Sequence, residues 1–319
     1  MTEFVKYRLP GNSIVHSSGQ FHPWNGQEQG FLVTDFLVND PLVLIPDNRN
    51  ENAQPIFSVE LPHETSQEEY IHLSNRIHQE ISAGACDKVV LSRTKLVSYN
   101  SDFLFADFKR LCETYPNAFV YLVSSLKYGT WIGATPELLL HNSGAYCQTV
   151  ALAATKKKDD SSEWTDKEYF EQGVVNEFIV QRLRELGCEG IQSNDRHEYL
   201  AGPLKHLRNE ITFKSTSIPL EKLVQSLHPT PAVSGLPQDK AIAIIEKLER
   251  HDRSLYAGVI GVVDEQSSHL FVNLRCAQVF KNTLCLYVGG GHTEASDPLA
   301  EWEETENKAK TLLNILQNH

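Results

Sequence analysis

Apolar and polar positions change their period several times along the chain, and each change marks an element. Tyr70, Leu73, Ile77 and Ile81 recur at helical spacing behind Thr65-x-x-Glu68, a capping box, and Gly84 is placed to end that helix. Lys88-Val89-Val90-Leu91-Ser92-Arg93 then predicts a strand. A second helix is expected over about 102–115, stopped by Pro116. Segments 119–124, 131–133, 138–141 and 146–153 predict a meander of strands, with Lys127-Tyr128-Gly129 as one of its turns. Ahead of these, residues 1–60 mix short apolar runs (Phe31-Leu32-Val33 and Leu42-Val43-Leu44-Ile45) with Gly, Asn and Pro, the pattern of strands and long connections.

A further capping box, Thr165-x-x-Glu168, opens a helix that reaches about Gly187, with Phe170, Val174, Phe178, Ile179, Leu183 and Leu186 as its apolar face and Glu177 at the edge. His228-Pro229-Thr230-Pro231 is a stiff loop, and a helix over about 237–249 turns Ile242, Ile245 and Leu248 inward. Strands follow at 256–264, 270–278 and 284–288. The last helix starts at Asp297, a good N-cap, with Pro298 in the first helical position. Strands arrive in consecutive clusters separated by single helices. That order predicts an antiparallel α+β build over a doubly wound sheet.

Composition narrows the function classes. At 319 residues, with 41% apolar residues and no repeat or linker-like stretch, the chain reads as one domain over 1–319. A formal charge of −12 argues against nucleic acid or an anionic membrane as partner, and requires local cations for any anionic substrate. Cysteines 86, 112, 147, 188, 276 and 285 show neither C-x-x-C nor paired spacing with histidines, so buried free thiols in a reducing compartment are expected. The N-terminus lacks a signal-peptide apolar region, and no run approaches the ~20 apolar residues of a membrane span. The expected location is the cytoplasm.

Candidate chemistry concentrates in the last forty residues. Gly289-Gly290-Gly291-His292 leads into a helix on which Glu301, Glu304 and Lys308 share one face, while Leu299, Trp302, Ala309, Leu313 and Leu316 lie on another. Two readings of the acidic stripe stand side by side. Carboxylates one turn apart can supply oxygen ligands to a hard divalent ion; equally, an acidic stripe opposite an apolar one is an ordinary solvated face, and Glu304/Lys308 an ordinary i,i+4 pair.

Taken together, several segments resemble the chorismate-utilising enzymes, the family of isochorismate, salicylate, anthranilate and aminodeoxychorismate synthases. They are Lys88 to Arg93, Ile132-Gly133-Ala134-Thr135-Pro136-Glu137-Leu138-Leu139, Leu152-Ala153-Ala154-Thr155, His228-Pro229-Thr230-Pro231-Ala232-Val233, Tyr256-Ala257-Gly258, Leu274-Arg275 and the terminal glycine-to-Glu-Trp run. They occur in the family's order from about 85 to 315, whereas residues 1–60 match only loosely. The resemblance implies two large antiparallel sheets with helices packed outside and an active site between them. It also implies roles. Lys88 would be the base that deprotonates water, Glu137 the acid that protonates a departing hydroxyl, and His206 a histidine near that hydroxyl. Mg²⁺ would be held by Glu177, Glu301 and Glu304. Arg275 and Tyr256, with the backbone N–H groups of Gly289, Gly290 and Gly291, would bind carboxylate; Thr155 would touch substrate, and Lys308 would add a cation. Lys156-Lys157-Lys158 reads either as an exposed loop closing over the site or as a plain solvated charge run.

Within the family, Lys88 matches water-using members, and Ala153 stands where aminodeoxychorismate synthases place a nucleophilic lysine. The expected activity is therefore isochorismate synthesis from chorismate, by a monomer with no amidotransferase subunit. The alternatives are a salicylate synthase, which goes on to eliminate pyruvate, and a catalytically impaired chorismate-binding homologue. The last is motivated by departures from the family's pattern: Ala154 for the usual glycine before Thr155, His292-Thr293 for Ile-Val, and Phe178 for a histidine beside Glu177. Ala154 matters most, because a methyl there crowds the pocket or sits at a φ that alanine disfavours.

Overall fold

The computed structural model describes residues 2–47, 53–202 and 204–317, so part of the reading of 1–60, at 48–52, lies outside the described residues. In chain order the strands are β1 (Glu3–Arg8), β2 (Val15–Pro23), β3 (Gly30–Val33), β4 (Leu42–Pro46), β5 (Lys88–Ser98), β6 (Phe119–Ser125), β7 (Gly129–Thr135), β8 (Leu138–Ser143), β9 (Tyr146–Lys157), β10 (Glu189–Ser193), β11 (His197–Ala201), β12 (Leu204–Lys214), β13 (Gly235–Leu236), β14 (Val259–Val263), β15 (Ser267–Val272), β16 (Cys276–Val279) and β17 (Thr283–His292). The helices are α1 (Gln67–Ser82), α2 (Leu104–Thr114), α3 (Asp166–Glu185), α4 (Leu220–Leu227), α5 (Gln238–Leu248) and α6 (Pro298–Leu316).

Among the described residues every strand pair is antiparallel, and the pairings follow a line. One half of it runs β13, β5, β17, β16, β7, β6, β1. The other runs β2, β4, β3, β14, β15, β8, β9, β12, with β10 and β11 both on the far edge of β12. The β1–β2 pair joins the halves, so the two expected sheets form one hydrogen-bonded network.

Period-2 alternation decides what each face of the first half covers. Val120 and Leu122 of β6 and Leu284, Leu286 and Val288 of β17 join Phe108 and Leu111 of α2 and Leu312 and Leu316 of α6 in one cluster. Their neighbours Phe119, Tyr121, Val123, Cys285 and Tyr287 point the other way, into a larger cluster with Phe31, Ile260 and Phe271 of the second half. Phe119 stacks on Phe271 across the halves at 4.5 Å between ring centroids, a contact worth about 1 kcal/mol beyond the area it buries. Strands buried on both faces read as continuous apolar runs, which is why 119–123 carries no clean alternation.

The helix starts are set locally. Thr165 and Glu168 form the expected reciprocal capping box on α3, and Asp297 accepts from the Ala300 N–H at the head of α6 with Pro298 following. At α1 the cap is Ser66, which accepts from the Glu69 N–H, one residue past the expected Thr65. Helix α6 packs on β17 and α3 on β9 and β12. The acidic first turns of α3 and α6 thereby meet over the open edge between the two halves, where Lys167 reaches Glu301.

Candidate active site

A cavity of about 630 Å³ lies between the halves, lined from the first half by Lys88, Glu137, Gly289 and Gly291 and from the second by Ala154, Thr155 and His206. Tyr256, Arg275, Glu171, Glu304 and Lys308 complete its polar lining, and Val90, Leu152 and Val233 its apolar wall. An adjoining recess of about 530 Å³ shares Ala154, Thr155, Glu171, Gly291 and Glu304 with it and adds Lys167 and Glu301.

Lys88 opens β5, where its backbone pairs with Leu236, and only 4% of it is exposed. Burial lowers its pKa from the ordinary lysine value; Glu171 works against that shift and Lys308 with it. Glu137 follows Pro136 in the two-residue connection from β7 to β8, is 3% exposed, and is pushed up to about 7 by burial, with Arg275, Lys88 and Lys308 pulling the other way. A base made easier to deprotonate and an acid made harder to ionise thus face one space.

The glycines of β17 act by close approach. A Cβ on Gly291 would stand 3.1 Å from Lys88 Cε, and one on Gly289 would stand 2.9 Å from the Tyr256 hydroxyl and 3.1 Å from the Leu91 carbonyl. Gly290, one step along the pleat, faces away from the cavity, towards Tyr70 Oη (3.0 Å) and Glu301 Oε2 (3.1 Å). So the run presents two glycines to the cavity and one to the acidic helix.

His206 owes its place to a bulge. Between the pairs Leu207–Ala153 and Lys205–Lys156, β9 contributes two residues, Ala154 and Thr155, against the single His206 of β12. Ala154 absorbs the extra residue at φ +58, the left-handed region that a glycine occupies without cost, so the alanine carries the strain expected of it. The bulge turns the Ala154 carbonyl to accept from His206 Nδ1 at 2.9 Å, with Thr155 Oγ1 3.2 Å from the same nitrogen. Nδ1 therefore carries the hydrogen. Nε2, buried without a partner, is left as an acceptor. Burial and the nearby Arg275 lower this histidine to about 3, so it is neutral across the working range. Arg275 itself sits at φ +49 in the connection from β15 to β16, and burial lowers its pKa from the ordinary guanidinium value.

Two expected site residues lie outside these linings, Gly290 and Glu177. Glu177 is exposed on α3 and lines neither the cavity nor the recess; the carboxylate that α3 delivers is Glu171. Six residues at about 100° each put Glu177 about 120° around the axis from Glu171. The buried face of α3 is Gln172, Val175, Ile179 and Leu183, rotated from the apolar face read in the sequence, because Tyr169 and Phe170 are exposed. Gln172, beside Glu171, bonds to the Ala151 carbonyl and to Asn209. The Thr165 cap fixes only where α3 starts, and no signal in the sequence singles out Glu171.

Glu168, Glu171, Glu301 and Glu304, with Lys156 and Lys167, line the recess, and Lys308 stands beside it in the cavity. Lys308 donates to the Gly289 carbonyl at 2.8 Å and pairs with Glu304 at 2.6 Å. Lys167, the second residue of α3, pairs with Glu301 at 3.1 Å and with Glu171 at 3.8 Å. Burial, then the neighbouring Glu304, raises the pKa of Glu301, whereas at Glu304 the opposing burial is outweighed by Lys308 and the carboxyl is held below its ordinary value. Among the described residues no three His, Cys, Asp or Glu side chains are grouped closely enough to share an ion as they stand. The lysine run is not a free loop: Lys156 and Lys157 end β9, and Lys156 pairs with Glu168 at 3.3 Å and lies over the Trp164 ring.

The comparisons with known proteins agree with this geometry. Isochorismate synthase EntC of Escherichia coli (strain K12) is 32% identical over 248 residues, 73% of this chain but 63% of the relative, so the match spans under two thirds of that relative's length. Isochorismate synthase MenF of Haemophilus influenzae is 28% identical over 311 residues, 90% of this chain and 71% of the relative. The solved structure of MenF, the menaquinone-specific isochorismate synthase from Escherichia coli, superposes with a TM-score of 0.83 at 21% identity, covering 99% of this chain and 89% of that one, and so shares its fold. A profile of the chorismate binding enzymes matches residues 40–317, a span that holds every cavity residue from Lys88 to Lys308, and on that match the chain belongs to the chorismate-binding enzyme family.

Proposed function

We propose that this protein is an isochorismate synthase, converting chorismate to isochorismate by adding water at C2 and expelling the C4 hydroxyl while the ring double bonds shift. One observation carries the reading: Lys88, at the start of β5, and Glu137, in the connection from β7 to β8, face one cavity with pKa values displaced in opposite directions, as a base and an acid for a single exchange require. Lys88, deprotonated, takes the proton from water as its oxygen bonds to C2. Glu137, protonated, gives its proton to the C4 oxygen as that bond breaks. Water enters and water leaves, so the product is an isomer of the substrate. His206 cannot be the acid, because its one hydrogen is committed to the Ala154 carbonyl; its Nε2 can accept from a substrate hydroxyl and orient it.

Chorismate is a dianion, and the cavity offers a local answer within a −12 protein. Arg275 with Tyr256 suits a planar carboxylate, and Lys308 stands by the glycine run. Carboxylate oxygens of Glu301, Glu304 and Glu171 are the hard donors that Mg²⁺ prefers, and an ion that retains several waters does not need all three at once. When bound, the ion would supply positive charge against the ring carboxylate. Six free thiols, five of them buried, suit a reducing compartment, and the reading extends to a cytoplasmic enzyme acting as a monomer without an amidotransferase.

The test is product analysis of the purified protein with chorismate and Mg²⁺. The expected result is a mixture of chorismate and isochorismate, reached from either side, since similar C–O bonds break and form. Salicylate and pyruvate accumulating in equal amounts at neutral pH would replace this reading by the salicylate synthase.

A further inference from the structure

The lysines at the acidic recess are held in different ways: Lys156 pairs with Glu168 and lies over the Trp164 ring, whereas Lys308, in the adjoining cavity, and Lys167 both reach the acids of α6. Lys308 is 13% exposed and anchored by a backbone carbonyl as well as by Glu304. Lys167 is 34% exposed, its described partners are carboxylates alone, and it enters from the first turn of α3. A flexible four-carbon stem with one third of its surface in solvent can withdraw its amine without disturbing the helix. The amine stands where carboxylate oxygens from α3 and α6 converge, and its single charge faces Glu301 and Glu171 with Glu304 adding to the field. Oxygen donors that hold an ammonium in this way offer a divalent ion the same contacts at twice the charge.

We propose that Lys167 is the resident counter-ion of the cation site: it neutralises Glu301 and Glu171 while no metal is bound, and an entering divalent ion displaces it, so that its charge weakens the metal's affinity. This rests on the reading of Glu171, Glu301 and Glu304 as metal ligands. The reason such a device helps is physical. Glu301 and Glu171, both facing Lys167, repel one another, with Glu304 adding to the field, and a displaceable cation holds them in place until the metal arrives. Lys308 cannot serve, because its withdrawal would also break its bond to the glycine strand.

The experiment is calorimetric titration of Mg²⁺ into the full chain without substrate, at pH 8. Wild type, Lys167→Met, Lys167→Arg and Glu301→Gln are compared, each checked for native circular dichroism. Lys167→Met, which keeps the stem and loses the charge, is expected to bind Mg²⁺ at least tenfold more tightly and to gain more in Tm on adding the metal. Lys167→Arg, which keeps the charge, is expected to stay within a few-fold of wild type or weaker. If Glu301→Gln loses Mg²⁺ binding but Lys167→Met binds no more tightly than wild type, the counter-ion role is overturned and the metal site stands. Equal tightening in the Met and Arg variants also overturns it. Absence of Mg²⁺ binding in wild type and in Lys167→Met alike overturns the metal reading itself, and the inference with it.

Discussion

Helices α3 and α6 each bring acids into the same recess from an end set by a side-chain cap, yet they differ in how plainly they present them. On α6 the apolar residues Ala309, Leu312 and Leu316 bury together on the sheet, and Glu301, Glu304 and Lys308 fall where simple helical arithmetic from Asp297 puts them. On α3 apolar residues surround the axis, Tyr169 and Phe170 among them left outside, so periodicity singles out no face, and the acid at the edge of the apparent stripe, Glu177, lines neither the cavity nor the recess. A helix announces its functional face only when its apolar residues are confined to one side.

The largest effect that can break this comparison lies on β5. Lys88→Ala should lower kcat at least the ~10²-fold typical of a lost general base while chorismate binding, measured directly, changes little. Turnover near wild type would leave the base to some other group and make the converging helices a structural feature.

Next in size is the contrast between the two acids of α3. Glu171→Gln should weaken Mg²⁺ binding and lower turnover by roughly tenfold or more, as loss of one carboxylate from a hard-ion site implies. Glu177→Gln should match wild type in both. The reverse result would restore the face read from the sequence.

Glu137 sharpens the picture through pH. An acid whose folded pKa, about 7, exceeds its ordinary 4.5 binds its proton more tightly in the folded state, so stability is lost as pH rises from 4.5 to 7 and stays lost above. Glu137→Gln removes that loss. The variant should be more stable than wild type at pH 8 by an amount on the order of 3 kcal/mol and should have lost most of its activity. In wild type kcat/KM should fall on the alkaline side with an apparent pKa near 7. Equal denaturation midpoints for the two proteins at pH 8 would show that the carboxyl ionises there without cost.

Ala154 gives the smallest effect. Replacing it by glycine exchanges left-handed strain, about 1–2 kcal/mol, against the larger chain entropy of glycine, leaving a gain of up to about 1 kcal/mol and a Tm rise of about 2 °C. A drop in Tm would mean that the methyl packs usefully in the cavity wall.

Much of this molecule was legible one residue at a time. The Asp297-Pro298 and Thr165/Glu168 caps, the acids and lysine of α6, and the positions of Lys88 in a strand and Glu137 in a turn follow from interactions spanning a few residues, which a sequence displays directly. The family pattern in Lys88, Glu137, Arg275 and the glycine run then pointed to one site before any distance was known. What only the tertiary structure decided is whatever depends on two distant segments meeting. The bulge that sets Ala154 at φ +58 and fixes the hydrogen of His206 exists because β9 and β12 pair out of step. The exchange of Glu177 for Glu171, and the placement of Lys167 between Glu171 and Glu301, follow from the angle at which α3 lies on those strands beside α6. Caps and periods are local energies; register and helix rotation are chosen by packing across the whole sheet, and one chain read from end to end carries no measure of that choice.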